Sequence, residues 1–226
     1  MALTFELSKV ETPVIRERMV SHLLNIDEGL AESVAEKLGM RKLPEPAEAA
    51  VSPRNDLPAS DALSIIKNGP ASFAGRKVGV LVSDGADTKL IKGLSTALKK
   101  EGATMEIVAP YIGGVETSDG SMIEADHMID GGPSVLFDAV AIIVSEAGAE
   151  RLAGEAAARD FVADAFAHLK YIGYTDAAAA LLIKAAVPVD SGDEGLIPLS
   201  AAKEAAAFVS ACRKLRVWAR EEAVKL

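Results

Sequence analysis

KVGVLVSDGADTKLIKGLSTALKKEGATMEIVAP, Lys77 to Pro110, decides the fold. Its first six residues are an apolar run of strand length, too continuous for a strand with one wet face. After the turn SDGAD, Leu90, Ile91, Leu94, Ala97 and Leu98 fall on one side of a helix, and Lys89, Lys92, Ser95, Lys99 and Lys100 on the other. Gly102 ends that helix and TMEIVAP begins the next strand. The stretch is a β-α-β unit whose two strands are parallel and buried on both faces.

The same alternation continues downstream. GGVETSDGSMIEADHMI carries the turn DG between two short alternating stretches and predicts a hairpin. AVAIIVS is the third buried strand, a helix around Phe161, Val162, Ala165, Phe166 and Leu169 follows, and KYIGY is the fourth strand. DAAAALLIKAA supplies a further helix, and Ser200 to Glu222 a last long one with Phe208, Cys212 and Leu215 inward. Strands alternating with helices at this spacing predict a doubly wound, mostly parallel, flavodoxin-like α/β sheet without internal repeats.

Upstream, periodicity disappears between Met40 and Lys77, where Pro44, Pro46, Pro53, Pro58 and Pro70 fall among Ala, Ser, Asp and Asn. Proline extends the backbone and removes donors, so this segment reads as a linker over a surface, with a domain boundary near Gly75. Before it, Ile15, Met19, Val20, Leu23 and Leu24 form the stripe of one short helix, and Leu30, Val34 and Leu38 that of a second, with Asp27 as N-cap and Gly39 as stop. Two such helices cannot bury their stripes alone and must pack on something else. The expected organisation is a helical arm (1–39), a proline-rich linker (40–75) and an α/β domain (76–226).

Half of the 226 residues are hydrophobic, which excludes a chain disordered throughout. The net charge of −9, with no basic stripe interleaved with aromatics, argues against nucleic acid as a partner. The lone Cys212 rules out an internal disulfide framework and fits a reducing compartment. The first residues lack a signal-peptide core and no run of about 18 apolar residues occurs, so the expectation is a cytoplasmic protein without a membrane partner.

Ligands of open α/β sheets bind beyond the carboxyl ends of the strands, which directs attention to the turns after Val82, Val144 and Ile172. In the first, Asp84 and Asp87 place carboxylates at a helix N-terminus, where they serve as caps and repel phosphate. No glycine-rich dinucleotide or Walker-type motif follows any strand. Glu124, Asp126 and His127 are metal-ligand types, but alternation along a strand sends His127 to the face opposite the two carboxylates, so no metal site is expected. Cys212, mid-helix on an apolar face, reads as a small buried hydrophobe. His168 is near Thr175 in sequence, yet Thr175 precedes Asp176 and a helical run and reads as an N-cap; His22 reads as a packing or interface residue. None of the three histidines belongs to a recognisable triad.

RERMVSHLLNIDEGLAESVAEKLGM, then ALSIIKNGPASFAGRKVGVLVSDGAD, then PSVLFDAVAII, in this order and spacing, resemble the C-terminal third of large-subunit catalases, from Phe5 to the last helix. The resemblance implies the end of a helical region, a linker, and a C-terminal domain similar to the PfpI-type, glutamine-amidotransferase-like superfamily. It implies a haem-bearing core as partner for the arm, a homotetramer, and hydrogen peroxide decomposition in the parent enzyme during oxidative stress. Catalases hold haem iron through a tyrosinate in an arginine-rich helix, and none of Tyr111, Tyr171 and Tyr174 has that context, so no haem and no other cofactor is expected in this chain. Relative to PfpI-like enzymes, Tyr171 to Thr175 align with the nucleophile elbow, with Gly173 where the cysteine would stand. The elbow Gly173, Tyr174, Thr175 is then degenerate, Asp84 or Asp87 is a vestigial supporting acid, and no catalytic residue remains. Met1 and Ala2 precede a sequence of interior character, expected of an excised fragment or of a free-standing truncated copy.

The expected function is a noncatalytic, stabilising domain of a catalase. Two alternatives are a chaperone-like module that holds unfolded client proteins on its arm, and residual hydrolase or amidase chemistry with Thr175 as nucleophile. Flavin is disfavoured because no Ser/Thr-rich phosphate loop follows the first strand.

Overall fold

The computed structural model describes residues 2–54 and 56–224, which divide into two compact units, Met1–Ser60 and Asp61–Leu226. The division lies between Ser60 and Asp61, and within the second unit the chain enters the core just before the expected boundary near Gly75. Phe73 is fully buried in the core of that unit, and Gly75 N–H donates to Gly102 O at 2.8 Å.

In the first unit, α1 (Ala2–Ser8), α2 (Pro13–Leu23) and α3 (Glu28–Lys37) pack around Leu7, Val20, Leu23, Ala31, Val34 and Ala35. Asp27 caps α3 by accepting from Leu30 N–H at 2.7 Å, and Gly39 ends it in the left-handed region at φ 71°, as expected. α1 has no counterpart in the sequence reading. Only part of the expected stripes is covered: Ile15 and Met19 on α2 and Leu30 on α3 stay exposed, as do Phe5, Val14 and Ile26. Beyond α3 the proline-rich stretch is tied back at Ala47, whose N–H donates to Ser21 O and whose O accepts from Asn25.

The second unit is built on β1 (Lys77–Val82), α4 (Thr88–Glu101) and β2 (Thr104–Ala109), the predicted parallel unit, with Gly102 closing α4 at φ 75°. β3 (Val115–Glu116) and β4 (Met122–Ile123) form the predicted hairpin. His127 and Met128, read as part of that hairpin, instead form β5 (His127–Met128), parallel to β2 at the sheet edge. Next come β6 (Ala139–Ile143), α5 (Glu146–Gly154), α6 (Ala156–Ala167), β7 (Ile172–Tyr174), α7 (Ala179–Lys184), β8 (Leu196–Pro198) and α8 (Ala202–Cys212). The last helix stops at Cys212, ten residues short of the expected Glu222, because Leu215 turns left-handed at φ 63°.

The sheet order is β5-β2-β1-β6-β7-β8, all parallel, which confirms a flavodoxin-like α/β fold. Alternation along β1 sends Val78, Val80 and Val82 into one core with Leu90, Leu94 and Phe208, and Leu81 into the other with Leu152, Phe161 and Leu181. Gly79 shares the second face, directly under Phe137: a Cβ there would lie 2.3 Å from the ring. The ring is wedged between His127 and Phe161 and has little room to retreat. Gly79→Ala is therefore expected to cost about 1–3 kcal/mol or more by overpacking, with Phe137→Leu restoring part of the loss in the double variant. Urea midpoints of the four proteins check this; additive losses would show that the ring is not the obstacle.

Candidate functional site

With β2 on one side of β1 and β6 on the other, the chain changes winding direction between β1 and β6, and the crevice beyond Val82 and Ile143 is where this fold binds ligands. Each strand hands over to a serine. Ser83 is buried; its Oγ accepts from Ser145 N–H at 3.1 Å. Ser145 Oγ donates to Asp84 O at 2.6 Å and accepts from Gly148 N–H at 3.1 Å, so it caps α5 and ties the two strand ends together. Gly148 is packed so closely that a Cβ would meet Ser83 Oγ at 1.9 Å. What remains is a cavity of about 170 Å³, lined by Ser83, Asp84, Val115 and Ser145, with Tyr111 and Arg151 beside it. Arg151 Nη2 donates to Tyr111 Oη at 2.7 Å and the guanidinium lies 5.1 Å from the ring centroid.

The two acids part company here. Asp87 caps α4 as predicted, accepting from Leu90 N–H at 3.0 Å. Asp84 does not cap: its Oδ1 accepts from Glu116 N–H at 3.0 Å, while Gly85 N–H donates to Glu116 O at 2.8 Å, so it pins β3 over the turn. Gly85 makes this turn at φ 78°, with Ser145 Cβ only 3.2 Å from where its own Cβ would be.

At the third turn Gly173 lies before the turn itself. Gly173 lies inside β7, paired with Ala141 on one side and Ile197 on the other, and a Cβ there would point at Leu199 and Phe208, 2.7 and 3.2 Å away. A side chain at this position enters the core under α8, not the crevice. The strand-to-helix turn comes later, at Thr175 and Asp176, in ordinary extended backbone (Thr175 φ −80°, ψ 154°) rather than the strained geometry of a nucleophile elbow. Thr175 occupies the N-cap position of a short 3-10 turn without capping it; its Oγ1 turns back to Val144 O at 3.3 Å.

The other reactive types are dispersed. Cys212 is fully buried on α8, and burial pushes its thiol well above the ordinary range. His168 Nδ1 sits 2.7 Å from Asp164 O at the end of α6. His127 Nε2 lies 2.8 Å from Glu106 Oε2, and Glu106 also pairs with Lys77. Asp126 accepts from Ile107 N–H at 2.7 Å, so Asp126 and His127 are engaged separately, and no group of three potential metal ligands occurs among the described residues. Among the described residues no thiol or hydroxyl meets a histidine at the crevice. Sequence reasoning passed over Ser83, Ser145 and Arg151; the signal was present, since each serine is the first polar residue after an unbroken apolar run.

Fold and crevice together define a flavodoxin-like α/β domain whose ligand-binding edge is laced by its own serines and backbone. The chain belongs to the family of C-terminal domains found in long catalases, whose model matches residues 74–222; residues 1–38 match the catalase-related immune-responsive family. It is 57% identical over its whole length to Catalase C of Rhizobium meliloti, and 34% identical over 99% of its length to Catalase HPII of Pseudomonas aeruginosa. With Catalase HPII of Mycobacterium avium it shares 37% identity over 82% of the chain. The chain spans about a third of the length of these relatives or less, 32%, 31% and 26% respectively. No helix among the described residues is long and apolar enough to cross a membrane.

Proposed function

We propose that this chain is the noncatalytic C-terminal portion of a long haem catalase that decomposes hydrogen peroxide in the cytoplasm, and that it acts by packing on the haem-bearing core and stabilising a homotetramer. The observation that carries this reading is the laced crevice: the one edge where this fold does chemistry holds two serines whose hydroxyls are spent on each other and on backbone, and among the described residues no histidine bonds to either. The PfpI-like ancestry is part of the same proposal, with the elbow lost at the turn Thr175–Asp176 rather than at Gly173.

Haem finds no fitting ligand site among the described residues. Tyr171 is sealed in the core, Tyr111 is bonded to Arg151, and the cavity of about 550 Å³ beside Trp218 offers no His, Tyr, Cys or Met to an iron. Haem is then a group of the parent core and not of this chain. The arm supports the packing role, because Phe5, Val14, Ile15 and Ile26 stand in water beyond what its small core covers.

The isolated chain, incubated with hemin and peroxide and screened with amide and ester substrates, is expected to give neither a Soret band, nor oxygen, nor turnover above buffer. Turnover abolished by Thr175→Ala but kept by Cys212→Ser would overturn the noncatalytic reading. The same exposed arm residues favour one second reading, a chaperone-like hold on unfolded clients. Light scattering of a heat-labile client, with the chain and with a version lacking residues 1–39, separates the two: equal scattering in both leaves the arm without that role.

A further inference from the structure

Beyond its packing role and independently of it, the α/β unit carries a second cavity, on the side away from the serines' chemistry and built from different residues. Where α8 ends, Leu215 adopts φ 63°, a left-handed conformation that a branched side chain rarely takes. This bend turns Arg213, Lys214, Arg216 and Trp218 toward the segment carrying Ile66 and Pro70, enclosing about 550 Å³. That volume lies in the range of small-molecule sites.

The charge in this cavity runs against the rest of the molecule. The chain carries −9 overall, yet three cations and a single carboxylate, Glu194, line the cavity. Two of the cations are committed: Arg213 binds both carboxylate oxygens of Glu101, at 2.9 and 2.6 Å, and Lys214 pairs with Glu194 at 3.6 Å. Arg216 is not. It is half-buried, and its Nη1 donates to Leu215 O and Asp138 O, at 2.8 and 3.3 Å. Among the described residues no carboxylate pairs with it. Asp138, the acid nearest by, spends its carboxylate on Arg76 and on Lys77 N–H. A half-buried guanidinium whose Nε and Nη2 have no hydrogen-bond partner among the described residues is a fork for a carboxylate, and the indole of Trp218 with Ile66 and Pro70 offers apolar walls for a ring.

We propose that this cavity binds a planar aromatic carboxylate, its carboxylate on Arg216 and its ring between Trp218 and the Ile66–Pro70 segment. Trp218 is the only tryptophan, so its fluorescence reports directly on occupancy. The chain is titrated with 2-naphthoate and with neutral 2-naphthamide. Saturable quenching is expected, with naphthoate bound about tenfold or more tightly, as befits a charge-assisted bond to a half-buried arginine. Arg216→Gln should erase that preference. Because Arg216 also bonds backbone, Ala71→Phe serves as a second variant: it fills the cavity from its exposed side, and should weaken naphthoate at least tenfold while leaving the urea midpoint unchanged. Equal affinity for the two probes, absence of saturable quenching, or naphthoate binding unaltered in Ala71→Phe would overturn the proposal.

Discussion

Asp193→Ala is expected to lower the unfolding free energy of the α/β unit by about 3–5 kcal/mol, because it strands a fully buried guanidinium. Arg220 has no exposed side-chain surface and is gripped by both oxygens of Asp193, at 2.5 and 2.8 Å. Its remaining Nη1 donates to Lys170 O at 2.8 Å, and its plane lies over the Phe166 ring at 4.4 Å. Burial by itself would push the Asp193 carboxyl up; the bonds from Arg220 and from Gly195 N–H more than reverse this, and it titrates below its ordinary value. The stability it contributes is therefore present at neutral pH and lost as acid protonates the folded form. The expected readout is a large drop in urea midpoint for Asp193→Ala at pH 7, shrinking below about pH 4 as the wild-type pair itself is protonated. A loss under about 1 kcal/mol at pH 7, the size of a surface pair, would show that Arg220 finds other partners.

Lys170 predicts the opposite behaviour. Its ammonium is buried, and its hydrogen bond goes to Ser134 O at 2.5 Å rather than to a carboxylate. Burial, and then the charge of Arg216, lower its pKa from 10.5 to about 8, against the weaker pull of Asp138 and Asp164. Below pH 8 the lysine is charged in both states and folding bears the full cost. Between about 8 and 10.5 the folded form has lost the proton while the unfolded chain keeps it, so stability gained from this group rises with pH. Relative to Lys170→Met, which has no such titration, wild type should gain roughly 3 kcal/mol across that window. The difference between the two curves is read, so any fixed penalty of the variant at Ser134 cancels. Parallel curves from pH 7 to 11 would refute the burial of this charge.

What could be read from sequence follows from how much each element says locally. β1, β2 and β6 announced themselves because strands buried on both faces must be apolar without interruption, and α4 because its lysines and leucines segregate. β5 and β8 did not: two and three residues at opposite sheet edges, one containing Pro198, carry no run to recognise. α8 was overextended because Arg213 to Glu222 keep a helical composition, and nothing in a leucine advertises a left-handed backbone. At the site, the facing of Gly173 was not legible, for a register reason. KYIGY could leave its last residue at 172 or at 174, and the choice, set by pairing with β6 and β8, decides whether position 173 faces the crevice or Phe208. The closure of the crevice was illegible, since Ser83 and Ser145 lie 62 residues apart and meet only once β1 and β6 are neighbours.

The full-length catalase proposed to carry this chain, compared with a version ending before residue 61, puts the account to its most direct test. Peroxide decomposition per haem at room temperature should be the same in both, while the shortened enzyme should lose its assembled state and its activity at markedly lower temperature. Unchanged thermal inactivation would contradict the stabilising role, and a fall in turnover with stability intact would contradict the claim that this domain takes no part in the chemistry.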